Sequence, residues 1–532
     1  MTTVHHPYRP RLGRVLLTLV PLAFLCVFFV WPVAAILGRG LTAHGALDLT
    51  PLGDVLGDTG LRHVALFTVW QAALSTFATL CIALPATAVL SRYQFRGRGL
   101  LVAFLTVPFV LPTVVVATAF RSLGIDGTLL AIVLAHTFFN AAIVVRVVGV
   151  SWRALDRREE EAARLLGAGP LRTFTSVTLP ALRPAIVATS SVVFLFCFTS
   201  FGVILILGGP RFATLETEIY RQTTQLLDLR TAAALSILQL VAVVVALSVA
   251  GVMGGRVRRV TRRPPAPQAV RGPRARTLAG LALAPLVALV AVPLLELVRR
   301  SLAHGAYGYA HLTETPLGAP SSSLQALATS VKIACVATVI AVGLGVCLAS
   351  AVTRHRRPSR AARATELVVV LPLGVSAVTV GFGFLIVFDT PPLDLRTSWW
   401  IIPIAHALVA LPFVVRATVP ALRAVDPHQR EVAALLGARP IQVWREIDVR
   451  VLARAAAVAA GFAFAISLGE FGATLFIVRP ETTTVPVAIF RFLSRPGATN
   501  IDQAMALATI LMAVTALVAL VGERTHRVGV RA

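Results

Sequence analysis

Long apolar runs recur along the whole sequence and constrain its fold more than any other feature. A helix needs roughly 20 residues, at a rise of about 1.5 Å each, to cross a bilayer. We predict twelve such spans, at 15–37, 64–90, 100–120, 128–150, 185–207, 232–254, 278–298, 325–352, 364–388, 399–421, 453–478 and 502–522. Because 57% of the residues are hydrophobic and only 14% are charged, against about 25% charged in a soluble domain, we predict an all-α multispanning membrane protein.

The net charge of +25 would suggest nucleic-acid binding in a soluble protein, so the position of the arginines matters. If the N-terminus is cytoplasmic, most arginines fall in that segment and in the connections on the same side of the membrane. This is the positive-inside distribution of membrane proteins. It argues against nucleic acid as a partner, leaves membrane lipid as the surroundings, and predicts that both termini are cytoplasmic.

The chain is duplicated. Residues 255–277 are rich in arginine and proline, which predicts an extended cytoplasmic linker between a first half, 1–254, and a second half, 278–532. Each half has six predicted spans, so two parallel repeats are expected. Residues that recur 270 positions apart include His136/His406, Arg146/Arg416, Asp156/Asp426, Glu161/Glu431, Gly167/Gly437 and Pro170/Pro440.

Two charged segments, 151–184 and 422–454, interrupt the apolar pattern between the fourth and fifth spans of each half. The first segment holds six arginines and four acidic residues. At about 2.5–3.5 kcal/mol per charge at the bilayer centre, burying them would cost on the order of 30 kcal/mol. We therefore expect both segments in the cytoplasm.

The first charged segment also has a helical pattern. Its apolar spacing predicts a short amphipathic helix from about Asp156 that ends at a glycine cap, Gly167. A second short helix is expected to start at Pro170, and Leu179-Pro180 to close it before the fifth span.

These segments resemble the EAA loop of the binding-protein-dependent ABC importer permeases. The residues that carry the resemblance are Glu161, Ala162, Ala163, Gly167, Leu179 and Pro180 in the first half, and Glu431, Ala433, Gly437 and Ile447 in the second. The second half departs from the pattern at Val432, where the middle alanine is expected, and at Val449-Arg450, where Leu-Pro is expected.

The resemblance implies the type I (MetI-like) permease fold in a bacterial inner membrane. In that family each loop forms a coupling helix that sits in a groove of a cytoplasmic ABC ATPase, so two loops imply two ATPase copies. An extracytoplasmic solute-binding protein is the other implied partner. ATP would be bound by the ATPase, and this chain would need no cofactor.

Further stretches resemble the thiamine importer permeases and related fused permeases of the iron(III), spermidine and molybdate types. They are Ala135–Asn140, Cys197–Gly202 and the outer-loop run from Leu207 to Pro210. We favour thiamine as the substrate and keep iron(III) as the alternative.

Four intramembrane polar residues are candidates for the transport pathway. Glu470, which aligns with Ser200, could face the pathway and favour a cationic substrate, or could bond to a neighbouring helix. His136 and His406 occupy equivalent places, where a histidine more often fills a helix interface than binds a ligand.

Two other classes of protein remain as rivals. An ion-coupled secondary transporter can also have twelve spans in two parallel repeats, but it gives no reason for two EAA-type loops. A membrane enzyme is disfavoured because the sequence has no P-loop, no G-x-S-x-G elbow and no H-E-x-x-H. We therefore predict no catalytic residue. The five cysteines lie in apolar runs, with no CxxC pair and no histidine at metal-binding spacing, so we also predict no disulfide and no metal site.

Overall fold

Helices make up nearly all of the chain that the computed structural model describes, namely residues 11–43, 46–253, 268–316, 319–353, 372 and 375–531. Ten of these helices are long and apolar enough to cross a membrane. They are Leu17–Leu41, Thr59–Arg92, Leu129–Arg153, Pro170–Phe198, Leu229–Val249, Pro273–Ser301, Ser323–Val352, Ile401–Arg423, Ile441–Gly469 and Ala498–Val518. The prediction of an all-α multispanning protein is confirmed.

The helices follow one another with short connections. In chain order they are α1 (Arg11–Leu25), α2 (Trp31–Leu41), α3 (Thr50–Gly57), α4 (Thr59–Arg92), α5 (Arg98–Thr106), α6 (Thr113–Ser122), α7 (Leu129–Arg153), α8 (Arg157–Leu165), α9 (Pro170–Thr173), α10 (Leu179–Phe198), α11 (Gly202–Leu207), α12 (Leu215–Thr224), α13 (Leu229–Met253), α14 (Pro273–Ser301), α15 (Tyr307–Ala310), α16 (Ser323–Val352), α17 (Ala377–Val387), α18 (Ile401–Arg423), α19 (Pro427–Leu435), α20 (Pro440–Val443), α21 (Val449–Gly469), α22 (Gly472–Ile477), α23 (Val485–Leu493) and α24 (Ala498–Arg531).

Short elements join some of these helices. Single π-helical turns lie at Cys26–Val30, Phe174–Thr178 and Trp444–Asp448, and 3₁₀ turns lie at Val107–Phe109, Gly209–Arg211 and Pro480–Thr482. Among the described residues, two-residue strands form two small ladders. β1 (Thr42–Ala43) pairs antiparallel with β2 (Ala46–Leu47), and β3 (Tyr93–Gln94) pairs parallel with β4 (Gln268–Ala269).

The third predicted span, 100–120, is not one straight helix. The segment Arg98–Phe109 meets α6 at an angle of 102°. Pro112 lies in the break in an extended conformation and directly precedes α6. A proline supplies no backbone N–H and disfavours a helical conformation in the residue before it, which accounts for the break.

The bounds of the fifth predicted span, 185–207, both lie further along the chain than the bounds of the helix in the structure. One continuous helix runs from Pro170 to Phe198, so Leu179-Pro180 does not close a short helix as the sequence predicted. The chain passes through a π turn, in which the Leu179 N–H bonds the Phe174 carbonyl, and this shift in hydrogen-bond register carries the helix past Pro180. The same turn forms in the second half, where the Val449 N–H bonds the Trp444 carbonyl.

Both of these long helices also break before the predicted end of the span. The first ends at Phe198 and the chain restarts as the short helix α11. The eleventh predicted span, 453–478, likewise ends at Gly469 and restarts as α22. The repeat therefore includes a break inside the membrane-length apolar run, which hydrophobicity alone does not reveal.

Two sequence predictions fall partly outside the described residues. The ninth predicted span, 364–388, includes undescribed residues, and its described part contains α17. The predicted linker, 255–277, also lies largely outside, although α14 begins at Pro273 and so extends into it. Pro273 suits this position because the first turn of a helix needs no N–H donor there.

The chain divides into two compact units that differ from the two sequence halves. One unit comprises Met1–Gly38, Pro320–Val487 and Val514–Ala532. The other comprises Arg39–Ala319 and Ala488–Ala513. The first helix of each half is therefore grouped with helices of the opposite half, α1 beside α16 and α14 beside α4 and α6.

Small residues allow close helix packing within the unit that contains α16. A buried cluster joins α16, α18 and α21, and its members are Ala337, Ala341, Ala407, Ala410, Val414, Ala459 and Ala463. At Gly345 an added Cβ would lie 2.5 Å from Cγ1 of Val414, so the backbones approach more closely than a larger residue allows. Small residues at helix contacts are typical of membrane proteins, where packing rather than hydrophobicity holds helices together.

Candidate functional site

Each charged segment folds into a capped helix, a glycine turn and the base of the next span. Asp156 accepts a hydrogen bond from the Arg158 N–H at 3.1 Å, and Asp426 accepts the equivalent bond at 2.9 Å. Two residues after α8 and α19 end, the chain turns at Gly167 and Gly437, which have φ of +83° and +84°. Glycine adopts this left-handed conformation without the steric cost that a Cβ imposes. The predicted short helix and its glycine cap are confirmed.

The structure places the EAA-type residues along these two segments. In the first, Glu161 and Ala162 are exposed on α8, Ala163 is half-buried, and Leu179 and Pro180 lie at the start of α10. In the second, Glu431 is exposed and lies 3.3 Å from His428, Ala433 is half-buried, and Ile447 is half-buried in the π turn. The two segments therefore share one fold despite the departures at Val432 and Val449-Arg450.

Each segment carries three large aliphatic side chains that are exposed around the glycine turn. We call Leu165, Leu166 and Leu171 the first tip; they are 89%, 89% and 74% exposed. The second tip, 270 residues further on, is Leu435, Leu436 and Ile441, which are 86%, 83% and 64% exposed. An exposed apolar patch next to charged residues is typical of a protein–protein contact.

A buried carboxylate holds the first of these helices in place. Glu160 of α8 has a side chain only 12% exposed, and it forms an ion pair with Arg92 at the end of α4. The Thr178 hydroxyl donates to Oε1 of Glu160 at 2.6 Å. The Arg92 guanidinium also lies 5.7 Å from the ring centre of Trp152, at the end of α7. Glu160 thus joins α8 to α4 and to the π turn that leads into α10.

The second half makes the same connection with different chemistry. Arg430 of α19 donates from Nε and Nη2 to Oδ1 of Asp448, at 2.9 and 2.7 Å. Arg430 and Asp448 lie 270 residues after Glu160 and Thr178, so the charge on the short capped helix is reversed while the contact is kept. Asp448 closes the π turn before α21, as Thr178 does before α10.

The sequence prediction missed these four residues because it concentrated on the neighbouring Glu161 and Glu431. A signal was present, since both pairs are 18 residues apart and each can form a hydrogen bond. The reversal of charge between the halves hides this signal, because the paired residues are not identical 270 positions apart.

A buried polar cluster surrounds Glu470 at the break between α21 and α22. Its carboxylate accepts the backbone N–H groups of Ala473 and Thr474 at 2.9 and 3.0 Å, which caps the N-terminus of α22. His406 of α18 lies with Nε2 3.3 Å from Glu470 and with Nδ1 2.8 Å from the Ser467 hydroxyl. Glu470 thus bonds to a neighbouring helix, one of its two predicted alternatives; its role in a pathway stays a prediction.

The corresponding cluster in the first half is less polar. His136 of α7 is buried and its Nδ1 lies 3.1 Å from the Ser75 hydroxyl of α4, so it fills a helix interface. Ser200, which occupies the place of Glu470, is half-buried in the break after α10. Ligand contact by His136, His406 or Ser200 stays a prediction.

Comparison with known families identifies the architecture. The chain matches the family described as "Binding-protein-dependent transport system inner membrane component" twice, over residues 79–261 and 341–525. These two matches cover more than half of the sequence, and each contains one capped helix with its apolar tip. The chain is a member of this family of importer permeases.

Several permeases are similar along most of their length. The thiamine transport system permease protein ThiP of Brucella abortus (strain 2308) is 27% identical, covering 88% of each chain, and that of Escherichia coli (strain K12) is 26% identical, covering 82% of this chain and 84% of its own. A probable ABC transporter permease protein, y4fN of Sinorhizobium fredii, is 24% identical over 96% of both chains.

Membership fixes the general role of this permease. It is a multi-pass inner-membrane component of an ABC importer, and such a component works with an ATPase and a binding protein. Its relatives are transport components rather than enzymes. The two capped helices are therefore candidates for the contact with the ATPase, and the breaks at Ser200 and Glu470 are candidates for contact with the substrate.

Proposed function

We propose that this permease forms the translocation pathway of a thiamine importer and that its two coupling helices, α8 and α19, each dock one copy of a cytoplasmic ABC ATPase. The observation that carries the proposal is the repetition of one geometry 270 residues apart. Each copy has an aspartate N-cap, a left-handed glycine and three exposed aliphatic side chains.

The exposed apolar side chains of the two tips support the proposal that each segment docks to a protein and is not a solvent-exposed loop without a partner. Burying a leucine side chain is worth about 1.5–3 kcal/mol relative to leaving it in water, so exposing several together is unfavourable unless a partner covers them. The arginine distribution supports a cytoplasmic location for both tips and both termini. ATP would be bound and hydrolysed by the partner, and this chain would carry no cofactor.

The choice of thiamine rests on the relatives. Two thiamine permeases match at 26–27% identity over more than four fifths of the chain. Iron(III) is the alternative substrate, and spermidine- and molybdate-type substrates are further ones. Thiamine is a cationic heteroaromatic compound, so a carboxylate such as Glu470 would suit it if that side chain reaches the pathway.

Reconstituted transport tests the proposal. The chain, its ATPase and its binding protein would be placed in proteoliposomes and supplied with radiolabelled thiamine or ⁵⁵Fe(III), with and without ATP. We expect ATP-dependent thiamine uptake that requires all three proteins. Uptake of iron(III) without uptake of thiamine would reject thiamine as the substrate. Uptake by the chain alone, driven by an ion gradient, would reject the ATP-driven importer mechanism.

A further inference from the structure

The inner faces of α8 and α19 are held by contacts that the exposed tips do not share. In both helices one residue points away from the tip and bonds the residue that closes the π turn of the next span. The tip is free to meet a partner, while the opposite face is already attached to the membrane helix. The coupling helix therefore has a docking side and an attachment side.

The attachment in the first half involves several elements at once. Besides the ion pair with Glu160, Arg92 accepts at its backbone carbonyl a hydrogen bond from Arg157 of α8, at 3.2 Å. The Trp152 ring contacts both the Arg92 guanidinium and the ring of Phe174, and the two ring centres are 6.3 Å apart. A shift of α8 without a shift of α4 and of the π turn would break the contacts that Glu160 and Arg157 make.

The attachment in the second half rests on two charges that are mostly covered. The side chains of Arg430 and Asp448 are 31% and 17% exposed. Removing one partner of a shielded pair leaves the other charge without compensation, which is costlier than breaking an exposed pair. The nearby pair Arg450–Glu446, with side chains 73% and 46% exposed, provides the contrast.

We propose that Glu160 and Arg430 are positioning residues that make each coupling helix move as one body with the span that follows it. This rests on the proposed function, because the movement would start from ATPase closure at the tips. The chemistry of the contact is interchangeable between the halves, a carboxylate with a hydroxyl in one and a guanidinium with a carboxylate in the other. What both halves keep is the mechanical link across the π turn.

Hydrogen–deuterium exchange on the intact complex tests this link. The chain with its ATPase would be placed in lipid nanodiscs, and backbone protection compared with and without ATP in α19 and in the base of α21. In the unaltered chain we expect ATP to change protection in both. In Arg430→Glu, which sets two carboxylates face to face, we expect the change in α19 to persist and that in α21 to be lost.

A charge exchange and a matched control complete the design. Arg430→Asp combined with Asp448→Arg restores an opposite-charge pair and should restore the ATP-dependent change in α21. Arg450→Glu makes the same substitution in an exposed pair of the same segment and should leave the change intact.

Should Arg430→Glu insert poorly, Thr178→Val gives an independent test in the first half. This substitution keeps the side-chain volume nearly constant but removes the hydroxyl that donates a hydrogen bond to Glu160. It should reduce the ATP-dependent change in the protection of α10 but not in that of α8. The proposal would be overturned if ATP still changed the protection of α21 in Arg430→Glu, or that of α10 in Thr178→Val, as it does in the unaltered chain. It would also be overturned if the charge exchange failed to restore the ATP-dependent change in α21. Failure of the ATPase to associate with the unaltered chain would instead reject the proposed function.

Discussion

Truncation of the first tip is expected to weaken ATPase binding strongly. In the double variant Leu165→Ala/Leu166→Ala, each substitution removes three carbons from a side chain that is 89% exposed. At about 0.8 kcal/mol per buried CH₂, complete burial by a partner would make each leucine worth about 2 kcal/mol. The pair would then contribute at most about 4 kcal/mol, or on the order of a thousandfold in dissociation constant, since about 1.4 kcal/mol is tenfold.

The assay is binding of purified ATPase to the chain in nanodiscs, measured without nucleotide so that ATPase dimerisation adds no avidity. Leu435→Ala/Leu436→Ala should weaken the second site similarly, because that tip is exposed to nearly the same extent. The control is Leu227→Ala, which removes a side chain 75% exposed between α12 and α13. If both tip variants bind within about threefold of the unaltered chain, or if the control weakens binding equally, the docking role of the tips is refuted.

Three further substitutions test other features. Gly167→Val should reduce coupled transport more than Gly167→Asn does. Nothing lies within 4 Å of an added Cβ, so the difference comes from the left-handed backbone, which costs most residues about 1–2 kcal/mol and asparagine less. ATP-driven uptake measures both variants. Gly345→Ala should lower the melting temperature in detergent by the equivalent of about 1–3 kcal/mol, whereas Gly343→Ala, with open space around its Cβ, should not. Glu470→Gln should also lower it, because the amide oxygen can replace one carboxylate oxygen but the NH2 group would face the other N–H of α22, at a cost of about 1–3 kcal/mol. An unchanged melting temperature would contradict the cap.

Local signals made the caps predictable. Asp156 and Gly167 act through their own backbone neighbourhood, so residue type and spacing were enough to place the ends of α8. The long spans were predictable for a similar reason, since each one satisfies its backbone groups internally and needs only apolar length.

The helix breaks and the attachment contacts needed the three-dimensional structure. Leu179-Pro180 suggested a helix end, yet the helix continues through a π turn that also forms beside Val449-Arg450, so the turn does not depend on the proline. Glu160 and Arg430 resemble any other charges of a cytoplasmic loop until their partners 18 residues later are seen. The Glu470–His406 contact joins residues 64 positions apart, beyond the range of any helical pattern.

Each half of the sequence contributes its first helix to the compact unit that is built mainly from the other half, and this affects how the protein folds during synthesis. The unit that begins at Arg39 includes α14 and residues 488–513, so it cannot be completed when the first half alone has left the ribosome. The helices of the first half must therefore remain in the membrane without all of their packing partners until nearly the whole chain has been synthesised. If the two halves were expressed separately, α14 of the second half would have to join the unit that begins at Arg39, and α1 of the first half would have to join the other unit, after insertion.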